Sequence, residues 1–375
     1  MDIDNNCPIC WEDTHSNENY AVIRCGHRYH FLCLYDWITK DNHTNCPLCT
    51  ISFKEENPNS NNLNKEQESE EEDVDEHGNS QLLLACINKL PDVALAIIQE
   101  YPENVDFGRV NNDTLTPLMY ATKNNMEEVA LALIATGESN IEHKNKHDFT
   151  VLTYACNNNL VNIALALLDT DNDAFGCLSD HGDSELQWAC HHGMIEVSTK
   201  LIEYYIRHHK AHLIGNQNTG NAWTALMTCC FKKYEQLALQ IITSDHGNCS
   251  AINKMGKTAL IIAIENKLDL VACKIIKHST CRPIDNLFTF DPPYKVKSID
   301  LSHYYDENSN FGLVSNDMTP LMLACMYKMS KTAYYLVRTG QSNHNYKNSQ
   351  NQTAYTLAVS NGLTDVSTIL KKHHY

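Results

Sequence analysis

From residue 78 to the end of the chain, apolar positions recur in register. Ala85, Ala121, Ala155, Ala189, Cys229, Ala263, Ala324 and Ala358 form a small-residue column, spaced by 36, 34, 34, 40, 34, 61 and 34 residues. Three positions before each stands Leu82, Leu118, Leu152, Leu186, Leu226, Leu260, Leu321 or Tyr355. Twelve positions after each stands Ile97, Leu133, Leu167, Leu201, Ile241, Ile275, Leu336 or Leu370. A further column, four residues before that last one, reads Val93, Val129, Ile163, Val197, Leu237, Val271, Thr332 and Val366, and it is aliphatic except at Thr332. Apolar residues at i and i+4 share one face of a helix. Each of the eight copies therefore predicts a helix carrying the Leu-x-x-Ala pair, a short turn, and a second helix. The apolar stripe of that second helix needs a neighbouring copy to cover it.

A period near 34 residues with two helices per unit fits ankyrin and tetratricopeptide arrays equally, so spacing leaves the choice open. The residues that open and close each copy are more specific. Thr116-Pro117-Leu118, Thr319-Pro320-Leu321, Thr224-Ala225-Leu226 and Thr258-Ala259-Leu260 place a capping Thr before the first helical turn, in two cases with Pro inside it. Thr136-Gly137-Glu138-Ser139-Asn140 and Thr339-Gly340-Gln341-Ser342-Asn343 read as a glycine-ended helix and the turn after it. On these residues 78–375 resembles an ankyrin-repeat array, which implies an all-α solenoid with β-turn loops that binds proteins. It departs from that family after Thr-Pro-Leu, where the usual His is replaced by Met119, Thr153, Gln187, Met227, Ile261 and Met322. The 61-residue spacing exceeds 34 by 27 and predicts an insertion near 279–316, either a plain surface loop or a binding element.

Polar patterning marks a second boundary. Residues 55–77 contain ten acidic residues, one Lys and almost nothing apolar. Such a segment buries too little surface to offset its ordering entropy. The stretch 53–77 is therefore expected to be a flexible acidic linker, with an acidic docking motif for a basic partner as the alternative.

Charge and composition then exclude whole classes. A net charge of -17 argues against a surface built to neutralise phosphates, so no nucleic-acid partner is expected. No run approaches the ~18 apolar residues of a membrane span, and Met1 to Asn6 do not read as a secretory signal. No membrane partner and a cytoplasmic location are expected. Of 16 cysteines, six lie within the first 49 residues beside histidines, and the others are scattered at apolar positions of the array. In a reducing compartment the first set suggests metal and the second buried free thiols, with disulfides the weaker reading.

The six clustered cysteines carry the most specific signal. Cys7-x2-Cys10-x14-Cys25-x-His27-x2-His30-x2-Cys33-x12-Cys46-x2-Cys49 supplies eight ligands in four close pairs. Zinc takes four such ligands tetrahedrally, so eight imply two closed structural sites with no open position for a reacting water. A domain of this size has too little core to fold alone, and structural zinc adds roughly 10–16 kcal/mol of apparent binding free energy.

With Arg24 to Ile38 and Cys46-Pro47-Leu48-Cys49 around those ligands, residues 1–52 resemble a RING finger of the two-histidine type, a small zinc-stabilised α+β domain. The resemblance, not the spacing, implies interleaved sites: Cys7, Cys10, His30 and Cys33 on one zinc, and Cys25, His27, Cys46 and Cys49 on the other. It also implies a ubiquitin ligase that holds a charged ubiquitin-conjugating enzyme, with no catalytic residue of its own, and that delivers ubiquitin to a lysine of a protein captured by the array. The family's docking surface maps onto Ile9, Trp37 and Pro47. Many active members carry Arg or Lys after the last ligand, where this chain has Thr50. The alternative is a non-catalytic, zinc-dependent adaptor. Asn-rich sequence, degenerate repeats and a RING together resemble proteins of large DNA viruses of amoebae, which would make the cytoplasm that of a host.

Three further features read as structural. Gly256-Lys257-Thr258 lacks the glycine of a phosphate loop at Ala251 and opens a repeat. Cys86, Cys156, Cys190, Cys230 and Cys325 each follow the small-residue column and are expected in the core. His191-His192 and His208-His209 are expected at the surface.

Overall fold

The structure is a computed structural model that describes residues 7–11, 20–22, 27–30, 33–34, 37, 46–49, 74–100, 105–279 and 310–372. The expected ligand Cys25, the position Thr50 and the stretches 53–73 and 280–309 lie outside the described residues. The chain divides into two compact units, Met1–Asn140 and Ile141–Tyr375.

The first unit contains an antiparallel hairpin of β1 (Tyr20–Val22) and β2 (Arg28–His30), in the register Tyr20 to His30. It also contains two helical pairs, α1 (Gln81–Ile87) with α2 (Pro91–Glu100) and α3 (Pro117–Lys123) with α4 (Glu127–Thr136). Six pairs make up the second unit. They are α5 (Val151–Asn157) with α6 (Val161–Asp169), α7 (Glu185–His192) with α8 (Ile195–Arg207), and α9 (Ala225–Lys232) with α10 (Glu235–Thr243). The other three are α11 (Ala259–Glu265) with α12 (Asp269–His278), α13 (Pro320–Met326) with α14 (Ser330–Arg338), and α15 (Ala354–Ser360) with α16 (Thr364–Lys372). Within each unit, first helices pack on first helices and second on second.

Every first helix starts the same way. Ser80, Thr116, Thr150, Ser184, Thr224, Thr258, Thr319 and Thr353 stand in extended backbone and accept a hydrogen bond from the N–H three residues on. Losing one such cap costs about 1 kcal/mol. Thr153 and Gln187, which replace the family's His, and Thr356 complete capping boxes by returning a bond to the cap's own backbone. Gln187 also reaches the next turn, its Nε2 donating to the Trp223 carbonyl at 2.9 Å.

The small-residue column closes the turn between paired helices. Its carbonyls accept from the N–H five residues on, from Leu90 to Ala85 at 2.9 Å through to Leu363 to Ala358 at 2.9 Å. The residue before each of those donors has left-handed backbone: Lys89, Asn125, Asn159, Lys233, Lys267 and Lys328 with φ between 58° and 64°, and Gly193 and Gly362. Each column residue is at most 1% exposed, so a larger side chain there would force the helices apart. The aliphatic columns are buried as predicted, except that Ile97 in the first pair is half-buried. The five cysteines that follow the small column are fully buried.

Two boundaries differ from expectation. Asp75 accepts from the N–H groups of His77 and Asn79 through Oδ1, at 2.9 and 2.7 Å, as Asn111, Asn145 and Asn253 do in later turns. Residues 75–77, assigned to the linker, thus form the turn of the first repeat, because an Asx side chain satisfies two backbone donors there. Likewise Phe311-Gly312 repeats Phe107-Gly108 and Phe175-Gly176, with all three Phe rings buried. Residues 310–316, assigned to the insertion, are an ordinary repeat turn anchored by that ring.

His208 is also less exposed than expected. Its side chain is 16% exposed, and its ring lies 3.0 Å from Asp171 through Nε2 and 3.2 Å from Asp173 through Nδ1. Lys257 pairs with Glu265 at 2.7 Å and Thr258 caps α11, so neither is directed at a phosphate.

Candidate metal centre

The Cys/His region is held by two turns and the hairpin. The Trp11 N–H donates to the Cys7 carbonyl at 2.7 Å, folding Cys7 and Cys10 onto one side of a tight turn. Cys46 and Cys49 close a second turn, with the Cys49 N–H 3.5 Å from the Cys46 sulfur. β2 lies between the turns, with His27 just before it and His30 at its end. Two residues apart along a strand, Arg28 and His30 share a face, so Tyr29 points the other way. Tyr29 is fully buried there with Cys7, Leu34 and Cys46, and Ile9, Cys10, Cys33 and Cys49 pack against that cluster.

This geometry gathers seven of the eight expected ligands into two groups. Cys7, Cys10, His30 and Cys33 bring one ligand atom each within 4.8 Å of one another, and His27, Cys46 and Cys49 do the same. Zinc–sulfur bonds of about 2.3 Å imply tetrahedron edges of about 3.8 Å, which fits that spread. Cys10 Sγ lies 3.1 Å from His30 Nδ1, and Cys46 Sγ lies 3.5 Å from His27 Nδ1. The order along the chain is therefore interleaved, turn one with the end of β2 and turn two with its start. Three thiols and an imidazole are the donor set that zinc selects.

Local electrostatics prepares some of these sulfurs. Burial pushes the Cys46 thiol up, but the Tyr29 hydroxyl at 3.1 Å and the N–H groups of Cys49 and Leu48 outweigh it and bring it down to about 6. Cys7 is likewise lowered: burial opposes it, but N–H donors from Cys10, Ile9 and His30 prevail. Burial and the neighbouring sulfurs of Cys10 and Cys7 push Cys33 up to about 12. Three thiols this close repel as thiolates, and a bound dication is what reverses that repulsion.

The three expected docking residues sit around these turns. Ile9 lies between Cys7 and Cys10, Pro47 between Cys46 and Cys49, and Trp37 in helical backbone beyond Cys33; all three are half-buried. The sequence reading missed Trp11, 75% exposed, and Leu48, 52% exposed, two large apolar side chains of the same turns. For Trp11 the signal was its position, since a residue just outside a ligand pair has no core to enter; Leu48, between Cys46 and Cys49, carried no such signal. The fully buried Tyr29 was also missed as a partner of Cys46.

Comparison with known proteins agrees with this geometry. Residues 5–50 match the family model "Ring finger domain", and residues 82–180 match "Ankyrin repeats (3 copies)". The chain is 37% identical over 43 residues to the E3 ubiquitin-protein ligase At3g02290 of Arabidopsis thaliana, covering 12% of this chain and 18% of that one. It is 34% identical over 50 residues to the E3 ubiquitin-protein ligase Iruka of Drosophila melanogaster, covering 13% of each. Similarity to the E3 ubiquitin-protein ligase RNF181 homolog of the same fly is 31% over 52 residues, or 14% of this chain and 34% of that one. The match thus spans about a third or less of these relatives' length and lies within the Cys/His region. Among solved structures, the ankyrin repeat domain of Bcl-3 superposes with a TM-score of 0.44 at 18% identity, covering 69% of this chain and 99% of that one. No helix among the described residues is long and apolar enough to cross a membrane. The chain carries an N-terminal RING zinc-binding region followed by an all-helical ankyrin repeat region.

Proposed function

We propose that this protein is a RING-type ubiquitin ligase of the cytoplasm, in which residues 1–52 hold a charged ubiquitin-conjugating enzyme and residues 78–375 recruit a protein substrate. The interleaved Cys/His groups carry the reading, together with similarity to named ubiquitin ligases confined to that region. Two zinc ions would be held, one by Cys7, Cys10, His30 and Cys33 and the other by Cys25, His27, Cys46 and Cys49. With every ligand position taken by protein, these metals organise the fold rather than activate water. The transfer is then a proximity effect: thioester and acceptor lysine are held on one scaffold, replacing a bimolecular encounter. Ile9, Trp37 and Pro47 form the enzyme-docking surface, anchored by the aromatic ring of Trp37.

Purified protein incubated with ubiquitin, activating enzyme, ATP and a panel of conjugating enzymes is expected to build ubiquitin chains. Silence across the panel, from protein of full zinc content, would favour a zinc-dependent adaptor. Thr50, where many active RING fingers carry a cation, is the observation behind that second reading.

A further inference from the structure

The repeats differ most where the fold does not require it. Two and three positions after the small-residue column stand Ile87-Asn88, Lys123-Asn124, Asn157-Asn158, Glu265-Asn266 and Ser360-Asn361, so five of the eight copies end in Asn. In the fourth and fifth copies the same positions hold His191-His192 and Phe231-Lys232, with Lys233 next. All five side chains are exposed, Phe231 at 57%.

These residues stand at the C-terminal ends of α7 and α9, which pack on each other, with Lys233 capping α9. Trp223, at the base of the turn entering α9, meets the Phe231 ring edge-to-face at 5.5 Å. Trp188 meets His191 at 6.5 Å, and its indole N–H, shielded from solvent, has no hydrogen-bond partner. The two helices meet electrostatically as well: burial lowers His191, and Lys232 and His192 lower it further. Among the described residues, neither Lys232 nor Lys233 is paired with a carboxylate.

An aromatic platform with unpaired cations is unexpected on a chain of net charge -17. Burial within the fold does not explain Phe231, which is 57% exposed. We infer that Trp188, His191, Trp223, Phe231, Lys232 and Lys233 form a docking face for an acidic protein segment carrying an apolar anchor. Aromatic rings take the anchor and the two lysines take carboxylates. Nucleic acid fits less well. A phosphate backbone extends beyond the patch into the field of the acidic remainder, whereas a short acidic segment feels mainly charges within a Debye length of ~8 Å. This inference rests on the array recruiting substrate, and it specifies the chemistry of what is recruited.

The test is a random 16-residue peptide display library panned on the full chain, with no conjugating enzyme or ubiquitin present. Enriched peptides should carry net negative charge with an aromatic or aliphatic residue. Binding of a selected synthetic peptide should fall at least ten-fold with Phe231→Ser and with Lys232→Glu/Lys233→Glu, at unchanged helical signal. Enrichment of basic or neutral peptides, or binding indifferent to both variants, would overturn the assignment. So would tighter binding of a 20-nucleotide oligothymidine that both variants abolish, which would make the face a nucleic-acid site. Because the assay needs no transfer, a ligase that proves inactive leaves its outcome untouched, and a failed docking face leaves ubiquitin-chain formation untouched.

Discussion

Thr332 donates its hydroxyl to the Asp269 carboxylate at 2.6 Å, joining two residues 63 apart in sequence. This bond accounts for the one break in the aliphatic column. Thr332 is fully buried at a position that is Val, Ile or Leu in every other copy, and its oxygen is satisfied by the first turn of α12. Its N–H lies 3.3 Å from the same carboxylate oxygen, so Asp269 also serves the start of α14. The pairs on either side of the long spacing therefore pack as ordinary neighbours, whatever lies between them in sequence.

Replacing Thr332 by Val keeps the shape and removes one bond to a half-buried carboxylate that water still reaches. The expected loss is about 1 kcal/mol. Thr332→Asp sets a second carboxylate against the first in a buried position and should cost about 3 kcal/mol or more. Urea unfolding followed by helical circular dichroism orders the two; equal losses would mean that the hydroxyl contact is incidental.

Glu185 is the first residue of α7, where the other copies have Gln, Val, Pro or Ala, and is fully buried. Its carboxylate accepts from Tyr205 at 2.7 Å and from the N–H groups of Gly176 and Cys177 at 3.2 and 3.3 Å. Burial raises its pKa above the usual carboxylate value, and these donors only partly counter that. A raised folded pKa means that its contribution to stability is fully present below the unfolded value of 4.5 and is lost as pH rises through the folded one. Tyr205→Phe removes the hydroxyl donor and should cost about 1–3 kcal/mol at pH 7. A bond to a neutral acid is weaker than one to a carboxylate, so the gap from wild type should narrow on acidification toward pH 5. Urea titrations at both pH values measure it, and a gap that widens instead would exclude an ionised Glu185.

At the exposed Lys328, φ is 60°, a conformation that costs a side chain roughly 1–2 kcal/mol and costs Gly little. Lys328→Gly is expected to stabilise the array by about 0.5–1 kcal/mol after allowing for glycine's greater unfolded-state freedom. At the equivalent Gly193 the reverse holds, since φ is 73° and an added Cβ would lie 2.7 Å from the Tyr234 ring. Gly193→Ala should cost about 2 kcal/mol or more. Opposite signs at equivalent positions are the diagnostic outcome of thermal melts on the two variants.

Most of the array was legible because burial leaves a periodic trace. Leu118, Ala121, Val129 and Leu133 repeat their spacing in every copy, and Thr116 announces its helix by capping chemistry. The left-handed column was not legible: Lys89, Lys233, Lys267 and Lys328 stand where glycine would have marked the turn. Asp75 was hidden by its acidic neighbours, since composition cannot distinguish a solvated carboxylate from one holding two backbone N–H groups. Thr332 looked like a defect because its partner lies across the longest spacing in the chain. In the RING region the ligand types were plain, but their interleaving depends on a hairpin of two three-residue strands, too short to show a pattern.

If the two-site assignment is correct, metal analysis of the purified chain should give two zinc ions per molecule. A strong chelator should then unfold the RING region while leaving the helical signal of the array, whose helices draw no ligand from Cys7–Cys49. Structural zinc contributes roughly 10–16 kcal/mol to such small domains, so its removal cannot be absorbed locally. One zinc per chain would break the assignment of Cys25, His27, Cys46 and Cys49.

Trp37 separates docking from folding. Truncating a central aromatic anchor costs about 2 kcal/mol or more of binding, which is roughly 30-fold in affinity and enough to silence a transient enzyme contact. Trp37→Ala should therefore abolish ubiquitin-chain formation while both zinc ions stay bound. Cys46→Ser should also abolish it, but by releasing zinc, because Cys46 is at once a proposed ligand and a member of the buried cluster with Tyr29 and Cys7. Zinc content measured beside activity thus distinguishes lost docking from lost structure. Thr50→Arg, which supplies the missing cation after the last ligand, should raise the rate if that contact limits transfer. Chain formation unchanged by Trp37→Ala would place the docking surface elsewhere, and the exposed Trp11 and Leu48 would then be the next residues to replace.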